Sequence, residues 1–410
     1  MEDIPSNIML DILSRIRLKP LVRLQRVSKL WRKYINDFYL AVMHGERFIE
    51  EPTPIMLHLN PPPPKRPRSL CFHVIDQSRT TNNTLVFRPK KVPDFEIMCK
   101  KLLSKSSITN IEFLGSCHGL IYVSEDDGEV VTTLAVIHPI KKQCYKLPTL
   151  PIPFYASQIQ ESCGIGFDSS TNTIKMVCVV LLRGDRPAVK KLCTMVHVLG
   201  TNKSWQEIPQ VPSYPIVGEG IFANGCLHWL ASYHDSPTKD ERHVVSFDVK
   251  KEEFGLINPV KTVSYPTKRE FNSCLCDHLG NLNGQVGYFC NRTTEVWVLD
   301  HKKEWVLHCN FEGHDFPYGY LKVLGCLNKE GDIFINCTPS DIGKDLFYVY
   351  NLRSRVLHEA DFVGGEDESE TNIVMFPNSL FSIHDIITNN NSIKKTCLRK
   401  KNVVVTGTKL

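Results

Sequence analysis

Several signatures that would name a chemistry are missing from this sequence. No uninterrupted apolar run reaches the roughly 18 residues of a membrane-spanning helix, so none is expected. There is no GxSxG elbow, no Gly-rich P-loop and no HExxH pair. The chain therefore carries no signature of an α/β-hydrolase, a phosphate-cradling NTPase or a zinc protease. Charge is nearly balanced, with 49 Lys and Arg against 44 Asp and Glu for a net +5. That excess is too small to argue for a nucleic-acid groove. The 15 cysteines are odd in number and scattered mostly in apolar stretches such as Met176–Val180. With Glu2, Asp3 and Asp11 making the N-terminus unlike a targeting peptide, they read as reduced, buried thiols of a cytoplasmic or nuclear protein. The nearest thing to metal spacing, Cys274-x-Cys276-x-His278, lacks a second ligand pair and reads as buried thiols beside a turn. The expectation is no cofactor, no metal, no nucleic acid and no membrane.

What is present starts at Ile4–Leu40. Pro5 stands where a helix would begin, a place where its missing amide costs nothing. Ile8, Met9, Ile12, Leu13 and Ile16 recur at helical spacing as one wide apolar stripe, with Leu10 outside it. Pro20 opens a second short helix, in which Leu21, Leu24 and Val27 share a face. Ser28 is placed to cap a third, whose Trp31, Ile35 and Phe38 align at steps of four and three. His44–Glu51 continues as helix. Three short helices in about 40 residues cannot bury that much apolar surface among themselves. A partner protein is the expected cover; the alternative is an ordinary helical cap packed on the following domain.

In order, spacing and type, Ile4, Pro5, Ile8, Ile12, Leu13, Ser14, Arg15, Ile16, Lys19, Leu21, Arg23, Val27, Ser28, Lys29 and Trp31 resemble an F-box. Asn7, Arg17, Leu24 and Phe38 depart from its pattern, which usually has an acid, a proline, a phenylalanine and a proline there. The resemblance implies docking onto a Skp-type adaptor and, through it, onto a cullin and a RING subunit. It places Pro5, Ile8, Leu10, Ile12, Leu13, Leu21, Val27 and Trp31 at the adaptor interface, although some of these must pack inside the module instead.

Beyond the helices, Pro61–Pro64 with Lys65, Arg66, Pro67 and Arg68 reads as an extended spacer, with nuclear import as its functional alternative. Strand signals begin near residue 55 and include Leu70–Ile75 and Thr84–Phe87; Phe95–Ser104 has a helical pattern. A repeat then sets in. Turn doublets His118-Gly119, Asn224-Gly225, Asn283-Gly284 and Glu330-Gly331 each precede an apolar strand, and Asn-Gly is a hairpin signal. A second half-motif places Pro139, Gly200, Asp248, Asp300 and Asn351 in register, the last three intervals being about 50 residues. Trp205 and Trp305 fall at equivalent positions and read as packing between units. Self-similarity of this length predicts a β-propeller of about six blades, the last closed by pairing early and late strands. The alternative is a pair of β-sandwiches.

The motifs Phe113–Leu120 (FLGSCHGL), Gly164–Asp168 (GIGFD), Ser204–Pro209 (SWQEIP), Asn224–Leu230 (NGCLHWL), Val245–Asp248 (VSFD) and Val296–Asp300 (VWVLD) are similar to the F-box-associated domain of plant F-box proteins, a kelch- or galactose-oxidase-like fold. His118 and His138-Pro139 replace its usual Asn and W-N-P. The expected organisation is a small all-α three-helix F-box at 1–48, a proline-rich basic linker at 49–69, a mainly-β propeller-like domain at 70–385, and a disordered basic tail at 386–410. The tail carries Lys394, Lys395, Arg399, Lys400 and Lys401 as a second candidate import signal. The two resemblances together imply the non-catalytic substrate-recognition subunit of a Skp–cullin–F-box ubiquitin ligase. The rival is a propeller enzyme, an oxidase or glycan hydrolase, with a helical appendage.

Overall fold

The computed structural model describes residues 4–376 apart from 17, 48–51, 61–68, 81–83, 99–109, 118, 127–132, 140–141, 152–162, 172, 184–189, 202–203, 233–241, 261–276, 292, 312, 315, 318, 341–343 and 364–370. Helices come first: α1 (Ser6–Ser14), α2 (Leu18–Leu24), α3 (Lys29–Ile35) and α4 (Phe38–Arg47). Four helices stand where three were expected. Asn36 caps the end of α3 and its Oδ1 accepts a hydrogen bond from Gln25 Nε2 at 3.0 Å. Phe38 therefore opens a helix of its own. Apolar spacing ran straight through that cap, which is why the sequence suggested a single helix.

Every described element after α4 is a strand. The hairpin-connected sets are β5–β8 (Asn110–Cys117, Leu120–Asp126, Thr133–His138, Gln143–Lys146), β9–β12 (Cys163–Asp168, Thr173–Arg183, Lys190–Val198, Gln206–Ile208) and β13–β16 (Ile216–Ala223, Cys226–Ala231, Val244–Asp248, Glu253–Ile257). They are followed by β17–β20 (His278–Leu282, Gln285–Cys290, Glu295–Leu299, Trp305–Asn310) and β21–β24 (Gly319–Cys326, Ile333–Pro339, Leu346–Asn351, Val356–Phe362). Each set is an antiparallel meander, one propeller blade. The sixth blade is built from both ends of the domain. β25 (Thr371–Phe376) pairs with β1 (Thr53–Asn60) in the register Thr53↔Phe376 to His58↔Thr371. β1 pairs in turn with β2 (Ser69–Arg79), whose two halves take β3 (Leu85–Pro89) and β4 (Phe95–Met98). The innermost strands β5, β9, β13, β17, β21 and β25 pack each on the next, and β25 returns to β5. The ring is closed, so no inner edge remains to pair with another chain.

Two expectations change here. The segment 49–69, expected as a linker, contains β1, the middle of the closing blade, where the strand signal near residue 55 already pointed. Phe95–Met98 is a strand of that blade rather than the start of a helix, paired with β2 from Phe72↔Phe95 to Ser69↔Met98. The segments 61–68, 364–370 and 386–410 lie outside the described residues.

The repeat has a physical basis at its Asn-Gly turns and at the three acidic or amide turns that share a register. Asn224 and Gly225 have φ of 51° and 77°, and Asn283 and Gly284 have 51° and 86°, the paired positive angles of a tight hairpin turn. Asp248, Asp300 and Asn351 each turn a side-chain oxygen onto backbone N–H groups of the next turn, reaching Lys251, Lys302 and Ser354 at 2.9, 2.8 and 2.8 Å. The two equivalent tryptophans hold neighbouring blades together as expected. Trp205 Nε1 donates to the Pro148 carbonyl at 2.7 Å, and Trp305 Nε1 to the Asn258 carbonyl at 2.9 Å, in each case just past the outer strand of the preceding blade.

Candidate functional site

The helical module is small enough to account for its side chains one by one. Pro5 lies just before α1 with φ −53° and ψ 137°, and its carbonyl accepts the N–H groups of Ile8 and Met9 at 3.0 Å. Ser28 caps α3 as its sequence position predicts, its Oγ accepting the Trp31 N–H at 3.1 Å. His44, buried in α4, donates from Nε2 to the Ile16 carbonyl at 2.9 Å and so ties the last helix to the end of the first.

The eight residues expected at the adaptor interface separate into three groups. Leu13 and Leu21 are fully buried and form the inside of the module with Ile35, Leu40 and Ala41. They hold the surface from beneath and cannot touch an outside protein. Leu10 and Trp31 are half-buried and pack against that cluster from its edge. Pro5, Ile8, Ile12 and Val27 face outward, Ile8 being 47% exposed, Ile12 46% and Val27 62%. The single apolar stripe read on α1 is thus two arcs. Met9, Leu13 and Ile16, joined by Leu10, face the core, while Ile8 and Ile12, one turn apart, share the other side. Ile4, 49% exposed, stands just before the helix, ahead of Pro5, and sequence reasoning had not placed it at the interface. Leu30 and Tyr39 were missed as well, at 50% and 44% exposure.

On its other side the module is attached. Leu13, Leu21, Ile35, Leu40 and Ala41 belong to the same continuous apolar cluster as Leu114, Tyr122, Val136 and Met176 of the first two blades. One flank is therefore closed by the ring, and the flank carrying Ile4, Ile8 and Ile12 stays open.

The ring contributes rigid polar joints between blades. Lys175 Nζ sits 3.0 Å from Asp168 Oδ2 and 2.9 Å from Glu252 Oε1, and donates to the Val249 carbonyl at 2.9 Å, linking the second blade to the third. Burial pushes the Asp168 carboxyl up, but hydrogen bonds from Ser170, Lys175 and Thr171 outweigh it and hold the group well below the usual carboxylate range. A register break between Val217 and Ile221 brings Glu219 to β5, where Oε1 accepts the Ser116 N–H at 2.7 Å. Burial raises that carboxyl. Cys274 and Cys276 lie outside the described residues, and His278 Nε2 accepts the Val323 N–H at 2.9 Å.

Comparison with known proteins agrees with this division of the chain. The family description "F-box-like" matches residues 1–41, and "F-box associated beta propeller domain" matches residues 64–388. An Arabidopsis thaliana relative, F-box protein At1g52495, is 22% identical over 403 residues, covering 94% of this chain and 86% of its own. Another from the same plant, F-box/kelch-repeat protein At3g23880, is 23% identical over 311 residues, covering 72% and 75%. Among solved structures a Synechocystis apocarotenoid oxygenase aligns at TM-score 0.37 and 9% identity over 74% of this chain and 72% of that one, too weak a likeness to carry an argument.

Proposed function

We propose, for a chain that belongs to the family of F-box proteins with an F-box associated beta propeller domain, the role of substrate receptor in a Skp–cullin–F-box ubiquitin ligase. Proteins of this family are generally receptor subunits. The open flank of the helical module docks a Skp-type adaptor, which attaches to the cullin and its RING subunit, while the propeller holds a target protein. The receptor itself makes and breaks no bond. It raises the local concentration of target lysines near the charged conjugating enzyme, so that transfer becomes effectively intramolecular. This reading puts the protein in the cytoplasm, the nucleus or both.

The observation that carries the reading is the exposed isoleucine ladder Ile4, Ile8 and Ile12 inside the stretch that matches the F-box. Ile8 and Ile12, at i and i+4, lie on one helix face and Ile4 stands just before it, and fully burying one such side chain is worth about 1.5–3 kcal/mol. In the assembly Pro5, Ile8, Ile12 and Val27 touch the adaptor, Leu10 and Trp31 border it, and Leu13 and Leu21 shape the surface from within.

Co-purification tests this. The tagged full-length chain, co-expressed with a Skp-type adaptor and a cullin, recovers both. The Ile8→Asp, Ile12→Asp double variant remains folded and recovers neither. Equal recovery of adaptor by the parent and the double variant would end the proposal.

A further inference from the structure

The closing blade gathers three side chains that no sequence motif joins. In the antiparallel pairing of β1 with β2, His58 faces Cys71 directly and Met56 faces His73. His58, Cys71 and His73 therefore share one face of the blade. Their ligand atoms all lie within 4.8 Å of one another. The rings of His58 and His73 stack with centroids 4.8 Å apart at 28°. Cys71 is fully buried, His73 is 5% exposed, and His58 reaches the surface.

His73 is the informative member. Its Nδ1 donates to the Lys90 carbonyl at 2.7 Å, which fixes the proton on that nitrogen. Nε2 is left buried and without a hydrogen-bond partner among the described residues. A buried polar atom left unpaired is destabilising, and a bound ion would satisfy it. An imidazole anchored through one nitrogen to a backbone carbonyl while offering the other is how a metal-ligating histidine is held. Glu96, opposite Cys71 in the β2–β4 register, is already engaged, its Oε1 accepting from Ser69 Oγ at 2.6 Å.

We propose that His58, Cys71 and His73 form a binding site for a zinc-class transition-metal ion on the blade that closes the ring, with one coordination position left to solvent. Two imidazoles and a thiolate suit Zn²⁺, not the oxygen-seeking Mg²⁺ or Ca²⁺. Ligand atoms around a tetrahedral ion stand about 3.3–3.8 Å apart, so the set closes by about 1 Å on binding, and His58 at the surface is the member able to turn inward. On uptake the Cys71 S–H bond breaks, its proton passes to water and an S–metal bond forms, with no change of oxidation state. β1 pairs with β25 on one side and with β2 on the other. An ion bridging β1 and β2 therefore fastens the N-terminal strands to the blade through which the ring is closed, and stabilises the folded ring by mass action.

Cobalt titration of the metal-stripped full-length chain tests the site without reference to the ligase role. One Co²⁺ is taken up per chain, with a thiolate-to-cobalt charge-transfer band and the intense visible bands of a tetrahedral ion. Cys71→Ser abolishes the charge-transfer band, and Cys117→Ser, a buried thiol of the first blade, retains it. His73→Gln weakens zinc affinity by more than the roughly 10- to 100-fold that outer partners of a metal site contribute. If Cys71→Ser fails to fold, the surface-reaching His58→Gln serves instead: zinc raises the Tm of the parent and leaves that of His58→Gln unmoved. A folded parent that binds no cobalt, a cobalt spectrum lacking the sulfur band, or an unchanged spectrum in folded Cys71→Ser would overturn the proposal.

Discussion

Trp229, on the second strand of the third blade, is fully buried, and its indole N–H reaches the Cys163 carbonyl at 3.1 Å. Two glycines leave room for it: a Cβ at Gly164 would come within 2.8 Å of the Trp229 ring, and one at Gly220 within 2.7 Å. Ile8 and Ile12, no less apolar, stand about half exposed on α1. Large side chains such as Trp229 are buried against an adjoining blade, because each blade has a neighbour and the last meets the first, and exposed aliphatics such as Leu256 and Val306 lie on outer strands. The helical module has the ring on one flank only. The difference teaches where a partner is needed: a closed repeat satisfies itself, whereas a four-helix fragment against one wall keeps an uncovered face.

The comparison can be broken most severely at the ring. Trp229→Ala should cost about 3–5 kcal/mol of unfolding free energy, read by denaturant titration; a loss below about 1 kcal/mol would mean the blades are not held by this packing. Asp168→Ala should cost about 3 kcal/mol, because it removes one anion from a buried Lys175. Acid should act in the same place. Burial pushes His197 and His228 down to about 4, so the unfolded chain takes up their protons first. Stability is then full above about pH 6.5, the unfolded value, and falls as pH drops from there to about 4, where this loss is complete. Asp168, depressed in the folded state, adds its own loss only below the ordinary carboxylate range. A thermal-melting profile flat from pH 7 to 4 would contradict this.

Within the module the two arcs of α1 should separate. Leu13→Ala should destabilise by about 2–4 kcal/mol, and Ile12→Ala by less than about 0.5 kcal/mol, although the residues are neighbours. A small effect also belongs to Trp305→Phe, which loses one hydrogen bond at a partly open position and should cost about 0.5–1 kcal/mol. The same change at the buried Trp205 should cost more. Equal costs would show that burial does not distinguish the two blade joints.

Local signals were legible and long-range ones were not. The Ser28 cap, the Asn-Gly turns and the register of Asp248, Asp300 and Asn351 depend on neighbours a few residues away, so residue type alone marks them. Early and late strands could be expected to meet and a strand signal begins near residue 55, but the prolines Pro52, Pro54 and Pro61–Pro64 on either side of it suit an extended spacer equally well, so the linker at 49–69 was drawn over β1. The inward and outward arcs of α1 could not be told apart because both are made of large aliphatic side chains. Only the ring's position decides which is covered. His58 and Cys71 are brought face to face by strand register across an intervening segment, so no ligand spacing appears in the sequence, and the expectation of no metal followed from that.

The central claim is that one arc of α1 holds the module together and the other is kept for a Skp-type adaptor. The most direct measurement is the affinity of the purified full-length Ile12→Asp variant for that adaptor, taken with its Tm. The account predicts binding at least about tenfold weaker, a loss of roughly 1.4 kcal/mol or more, at an unchanged Tm. Undiminished affinity in a variant that melts with the parent would contradict it.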